Sequence, residues 1–272
     1  MNLHIKRGNH PIAQDVRSLI SKRYKTITKA VNRDFWDSIS DTAHSIYVGS
    51  YGRGTAIDTS DLDILVELPD SEYDHFESLK GNGQSRLLQV VKNAVTATYP
   101  RTDVKADGQV VVVNFSDDMK FEILPAFQRK NKNPFRESPV VGDYKYPDTH
   151  MGGRWLSTDP KAEQDAMSTK NKKSNGLLFD TCRHIRFIRS EHFSSYHLSG
   201  ILIDSFVYAA IRDCCWPCDS KYDVDFIREY EYALLKCYNT MLYRDAIPAP
   251  GSFTRVSMDD LEVLGKVLMK MV

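Results

Sequence analysis

Asp61-Leu62-Asp63 opens a β-prone run that continues through Ile64, Leu65 and Val66. Side chains alternate across an extended strand, so both carboxylates point to one face and Leu62 to the other, towards a core. Two hard oxygen donors that converge in this way can hold magnesium, which prefers carboxylate, water and phosphate oxygens. Just upstream lies Val48-Gly49-Ser50-Tyr51-Gly52-Arg53-Gly54-Thr55. Gly49 lets backbone amides approach a phosphate, Ser50 offers a hydroxyl to the same group, and Gly52 and Gly54 permit turns that expose further amide donors.

A third carboxylate on a neighbouring strand would complete a metal site. Glu122 in Lys120-Phe121-Glu122-Ile123-Leu124-Pro125-Ala126-Phe127 is the candidate, with Phe121 and Ile123 facing inward. Asp117 and Asp118 compete, but they fall in a polar connection where acids are common for turn chemistry alone. A lone Asp-x-Asp is commonly a solvated edge and a lone Gly-Ser a turn. Here the turn, the acid pair and the later strand acid follow one another in the order a metal-phosphate site needs. Two ions, magnesium or manganese in its place, held by Asp61, Asp63 and Glu122 would activate an attacking hydroxyl and stabilise a leaving pyrophosphate.

Hydrophobic periodicity places the rest of the chain around this signal. Ile12, Val16, Leu19, Ile20, Ile27, Val31 and Phe35 predict one long helix over 11–37. Strands are expected at 45–48 and 62–68, a helix over 85–99, and a hairpin of strands 109–115 and 120–127. Residues 129–151, with Pro134, Pro139, Gly142 and Pro147, read as loop and carry the boundary between two lobes, 1–145 and 146–272. Beyond it helical spacing dominates, at 162–167, 177–189, 198–213, 226–243 and 259–271. The expected fold class is α/β (α+β), with a sheet-based catalytic lobe and a C-terminal helical lobe.

Composition narrows the partners. Lys and Arg together number 36, as do Asp and Glu, which excludes the strongly basic character of a protein that coats nucleic acid. Any polyanion would have to be met locally, for example by Arg129, Lys130 and Lys132 with Lys170, Lys172 and Lys173. No stretch approaches the roughly 20 apolar residues of a membrane span, and residues 1–10 lack the apolar core of an export signal. The cysteines, Cys182, Cys214, Cys215, Cys218 and Cys237, are odd in number and irregularly spaced, as expected of reduced thiols in a cytoplasmic protein. Cys214, Cys215 and Cys218 lack a nearby fourth ligand to close a tetrahedral zinc site.

Gly49-Ser50 followed by Asp61-x-Asp63 resembles the signature of the polymerase-beta-like nucleotidyltransferases. The run Phe121-Glu122-Ile123-Leu124-Pro125-Ala126-Phe127 is similar to the third-acid segment of oligoadenylate synthetases and CD-NTases, and Trp155-Leu156-Ser157-Thr158-Asp159-Pro160 resembles a stretch that follows it in CD-NTases. The likeness implies a two-lobed polymerase-beta-like fold. It also implies a triphosphate-binding cation at Arg189, with Arg186 as a second candidate, and nucleotide contacts at Ser195 and Tyr196. Arg183, Arg186 and Arg189 recur every three residues and so lie near one helix face. One departure stands out: the third acid is usually Asp, and the extra methylene of Glu122 changes where its carboxylate sits.

In that family the substrates are nucleoside triphosphates, ATP first and GTP or pyrimidine triphosphates as further candidates. The product is a cyclic oligonucleotide that activates a separate effector in CBASS-type antiphage defence, and an activating protein or nucleic acid is a further expected partner. A transferase making linear products, and an inactive nucleotide-binding module, are the rival readings; the intact Asp61 and Asp63 speak against the second.

Overall fold

The computed structural model describes residues 3–58, 61–128, 144–218, 224–252 and 254–272. The chain divides into a sheet unit, Gln14–Gly52 with Asp61–Lys161, and a helical unit, Met1–Ala13 with Arg53–Ser60 and Ala162–Val272. The sheet unit contains α1 (Gln14–Phe35), β1 (Ser45–Tyr47), α2 (Gly49–Gly52), β2 (Leu62–Glu67), α3 (Asp70–Ser78), α4 (Gly83–Thr98), β3 (Asp103–Asp107), β4 (Val110–Asn114), β5 (Lys120–Gln128), β6 (Tyr144–Asp148) and β7 (Arg154–Thr158).

Its sheet is mixed, in the order β1-β2-β5-β4-β3, with β6 joined to β5 and β7 to β6. The β2–β5 pair is parallel and its neighbours are antiparallel. On one face Leu62, Ile64, Val66, Phe121 and Ile123 are buried. Beneath the helices, Ile20, Ile27 and Val31 of α1 and Leu87, Leu88, Val91 and Val95 of α4 are buried as well. The apolar stripe that predicted α1 is thus its buried side. α4 starts slightly earlier than its periodicity suggested, because Asn82 caps it by accepting from Ser85 N at 2.9 Å.

Several elements were silent in the sequence. In α3 only Phe76 is buried, so no stripe exists to detect. In β3 only Val104 is buried, as suits a polar edge strand. β6 hides behind Pro147, yet it pairs with β5 only through Tyr144 and Lys145, so at Pro147 one side of the strand has no β5 ladder to lose. The β6–β7 hairpin carries the sheet to Thr158, and the division falls at 161/162, beyond the boundary expected at 145/146. The expected loop over 129–143, with Arg129, Lys130 and Lys132, lies outside the described residues.

The helical unit is built on α5 (Pro160–Lys173), α6 (Leu177–His192), α7 (Gly200–Ala210), α8 (Val224–Met241) and α9 (Leu261–Met271), with a short hairpin of β8 (Ala246–Pro248) and β9 (Arg255–Ser257). Leu177, Ile185, Ile188, Leu202, Phe206, Leu264 and Leu268 form its core. Ile5 is in that core, Ile5 N donates to Glu231 Oε1 at 2.9 Å, and Gly8 N donates to Asp180 Oδ2 at 3.0 Å. These bonds account for the N-terminal residues belonging here and not with the sheet. All five cysteines are free thiols.

At the centre of this unit Asp204 is fully buried between two guanidinium groups. Arg186 reaches it at 2.7 and 2.9 Å, Arg53 Nε at 2.8 Å and Thr55 Oγ1 at 3.0 Å, while Arg53 Nη1 also donates to Glu163 at 3.0 Å. Burial alone would raise the pKa of Asp204, but the two arginines outweigh it and hold the carboxyl low. Removing one partner of such a buried pair leaves uncompensated charge. Asp204→Ala is therefore expected to destabilise the fold by about 3–5 kcal/mol in urea denaturation. A depressed folded pKa stabilises above the unfolded value of about 3.9 and loses that contribution as pH falls through the folded value. The wild-type midpoint should accordingly drop in the acid range below about pH 4, and that arm should be flatter in the variant.

Candidate active site

The acid face is set by strand register. In the parallel β2–β5 pair Asp63 stands opposite Glu122 and Leu62 opposite Phe121. Parity then puts Asp63 and Leu65 of β2, with Asp61 just before the strand, on the same face as Lys120, Glu122, Leu124 and Ala126 of β5. Leu65 and Ala126 are buried further along that face with Val48 and Tyr144, so the acids occupy the outer end of a strip whose inner end is apolar.

Lys120, which the sequence reading did not single out, lies among these acids. Its Nζ is 3.0 Å from Asp61 Oδ2 and 2.6 Å from Glu122 Oε1. Partial burial works against its charge, but the hydrogen bonds to Glu122 and Asp61 outweigh that and push its pKa up. Among the described residues no three His, Cys, Asp or Glu side chains are gathered tightly enough to hold a metal ion as they stand. It is the ammonium of Lys120 that bridges Asp61 and Glu122.

Asp117 and Asp118 have turn roles. Asp117 Oδ1 accepts from Arg23 at 2.9 Å, Asp118 has φ +65°, and Phe115 N donates to Met119 O at 2.9 Å across the β4–β5 connection.

Gly49 and Ser50 form the start of the single turn α2, immediately after Val48 N donates to Asp63 O at 2.9 Å. Gly49 has φ +58°, and a Cβ there would lie 1.8 Å from Asp63 Oδ2. The glycine is thus required twice, by backbone conformation and by the carboxylate packed against it. Tyr51 of the same turn tilts against Tyr47, which stacks on Tyr24 of α1 with ring centroids 4.2 Å apart.

The candidates on α6 separate. Arg186 is 7% exposed, and its terminal nitrogens bond Asp204 and Gly200 O. This corrects the expectation that it meets phosphate: its donors are committed to the core. Arg183 donates to Gly54 O at 2.8 Å. Arg189 is half-exposed and holds Tyr196 O through Nε at 3.1 Å and Nη2 at 2.7 Å, which brings two predicted residues together. The Tyr196 ring is exposed with Lys266 Nζ 4.7 Å from its centroid, and Ser195 is exposed beside it.

Comparison with known proteins now bears on this arrangement. Residues 9–171 match the Second Messenger Oligonucleotide or Dinucleotide Synthetase (SMODS) domain. The chain belongs to the SMODS family. A probable cyclic nucleotide synthase of Bacillus cereus is 25% identical over 127 residues, 44% of this chain, and the match spans only 36% of that relative's length. The fold is that of the Elizabethkingia meningoseptica CdnE cyclic dinucleotide synthase (TM-score 0.65, 15% identity, 96% of this chain and 92% of that one). It is equally close to the Rhodothermus marinus CdnE c-UMP-AMP synthase (0.64, 14%, 92% and 89%). The Bradyrhizobium diazoefficiens CD-NTase CdnG, solved with GTP, is also similar (0.63, 11%, 99% and 86%).

Within this SMODS chain Arg53 was also missed as a structural residue, since only the glycines and Ser50 of its Gly-rich motif carried a local signal. Its partners, Glu163 and Asp204, are more than a hundred residues away in sequence, beyond any local signal. The doubly constrained glycine offers a direct check. Gly49→Ala should lower stability by about 1–2 kcal/mol from the left-handed backbone alone. Crystallography of the variant should show the Asp63 carboxylate swung off its present position. A variant of unchanged melting temperature with Asp63 in place would contradict the packing described.

Proposed function

We infer that the chain is a divalent-metal-dependent synthase that joins nucleoside triphosphates into a cyclic di- or trinucleotide and releases pyrophosphate. The observation that carries this reading is the Asp63↔Glu122 register, with Asp61 on the same face and the Gly49-Ser50 turn packed on Asp63. The donor set suits a hard cation: three carboxylates, all oxygen, two of which already draw in the ammonium of Lys120. Asp61, Asp63 and Glu122 would hold magnesium, or manganese in its place, which supplies positive charge for an attacking ribose hydroxyl and a departing pyrophosphate.

The chain's own groups do the rest. Gly49 and Ser50 offer amide and hydroxyl donors to a phosphate. Arg189, oriented by the Tyr196 carbonyl, offers a planar cation to the triphosphate. Ser195 and the exposed Tyr196 ring offer a hydroxyl and a stacking face to nucleotide. ATP is the first substrate to test, with GTP and the pyrimidine triphosphates beside it. The cyclic dinucleotide synthases among the structural relatives support a cyclic product. A place in CBASS-type antiphage signalling follows on this reading, with a separate effector protein activated by the product and a protein or nucleic acid as activator.

Incubation with the four labelled triphosphates and Mg²⁺ or Mn²⁺, followed by phosphatase treatment and mass spectrometry, tests it. A phosphatase-resistant product absent from Asp61→Ala/Asp63→Ala is expected. Linear, phosphatase-sensitive products would convert the reading to a linear transferase, and no pyrophosphate release with any metal or activator would overturn it. Lys120 provides an independent check. A cation bonded to two of the three acids opposes a divalent ion on the same face, so Lys120→Met should bind Mn²⁺ more tightly, read as loss of the free-ion EPR signal. Asp61→Ala/Asp63→Ala should leave that signal undiminished.

A further inference from the structure

The helical unit holds a cavity of about 710 Å³ whose lining lies wholly within that unit and includes none of the acid-face residues. Its size falls within the roughly 300–1,000 Å³ usual for small-molecule sites. One wall is a single face of α5, where the small side chains of Ala162 and Ala166 leave space and Lys170 and Lys173 follow at helical spacing. Tyr208 of α7 and the turn containing Arg212 and Asp213 form another part of the wall. Gly251 closes one end: its φ is +64°, and a Cβ there would lie 2.5 Å from Ala162 O, so the loop seats against α5 only because it has no side chain.

The charges in this lining are not equivalent. Lys170 Nζ donates to Tyr208 O at 2.5 Å and sits 4.3 Å from the Tyr208 ring centroid, with Asp213 as its attracting acid. Lys170 is thus tied to the end of α7, and Asp213 attracts it without forming an ion pair among the described residues. The side chains of Lys173 and Arg212 make no hydrogen bond or ion pair among the described residues. Against them stand two acids of the lining, Asp165 and Asp213. Arg212 is in addition held at φ +48°, a left-handed conformation that a non-glycine residue adopts only when its surroundings impose it. Two uncommitted cations, one of them a planar guanidinium, beside an apolar wall match an anion attached to an organic body.

The geometry points to a second ligand site here, one that takes a small phosphate monoester of up to mononucleotide size. The phosphate meets Arg212 and Lys173, and the body lies along Ala162, Ala166 and the Tyr208 side of the cavity. This site stands independently of the synthase reading, because it needs neither the acids nor a metal.

Equilibrium dialysis of the full chain in EDTA, with radiolabelled AMP and ribose 5-phosphate as probes, tests it. Wild type is compared with Lys173→Ala/Arg212→Gly and with Asp61→Asn/Asp63→Asn. Glycine accepts the left-handed φ at 212 without strain, so the first variant is expected to melt like wild type. At least one probe should bind wild type, bind Lys173→Ala/Arg212→Gly at least about tenfold more weakly, and bind Asp61→Asn/Asp63→Asn unchanged. Retention of AMP alone would make the occupant a nucleotide, and equal retention of both would make it a sugar phosphate held chiefly by its phosphate. Absence of binding at millimolar probe, indifference to Lys173→Ala/Arg212→Gly, or loss in Asp61→Asn/Asp63→Asn would each overturn the site. Pyrophosphate release by wild type reads the acid face separately, so failure of one reading is not mistaken for failure of the other.

Discussion

The pairing of β2 with β5 fixes where the charge of this protein goes. A slip of β2 by one residue against β5 would turn Asp61 and Asp63 away from the face of Glu122 and bring Leu62 and Ile64 onto it. Burial of each such apolar side chain stabilises by roughly 1.5–3 kcal/mol. Repulsion between carboxylates a few ångströms apart costs about 1 kcal/mol where water screens it. The apolar face therefore decides the register, and the acids are carried into proximity as a consequence. Lys120 reduces the remaining repulsion by lying between Asp61 and Glu122.

A second constraint acts in the helical unit through Asp204. Its burial between Arg53 and Arg186 is sustainable only because the guanidinium forks, Thr55 and Glu163 satisfy the group on several sides. The same network accounts for Arg53–Ser60 belonging to this unit although the chain on either side belongs to the sheet. It also separates the arginines of α6 by role. Arg186 is consumed internally, whereas Arg189, one turn on, is tied among the described residues only to a carbonyl and keeps donors available.

Legibility in the sequence followed the strength of the periodic signal. α1, β2, β4, β5 and the helices from α6 onwards bury a clear stripe or face, and their residues announced it. α3 and β3 each bury a single residue, and β6 contains a proline that only its partial pairing with β5 makes harmless. The lobe boundary was displaced for the same reason, since the hairpin it overlooked extends the sheet. At the acid face Asp61, Asp63 and Glu122 were legible from strand parity. Lys120 was not, because a lysine two residues from an acid is ordinary on any solvated strand.

The sequence by itself determined the chemistry that is local: two acids on one strand face, a third on a second strand, a glycine-containing turn ahead of them, and family membership through the order of these pieces. Only the tertiary structure decided which groups are already spoken for. Arg186 looks like a phosphate ligand in one dimension and is a core cation in three, because Asp204 approaches it from another helix, and Arg53 joins the same core although its local sequence gave no sign of it. Gly49, read in the sequence as giving room for a phosphate, is also required so that the backbone can lie against Asp63. Such commitments depend on distances between residues far apart in the chain, which periodicity does not encode and packing does.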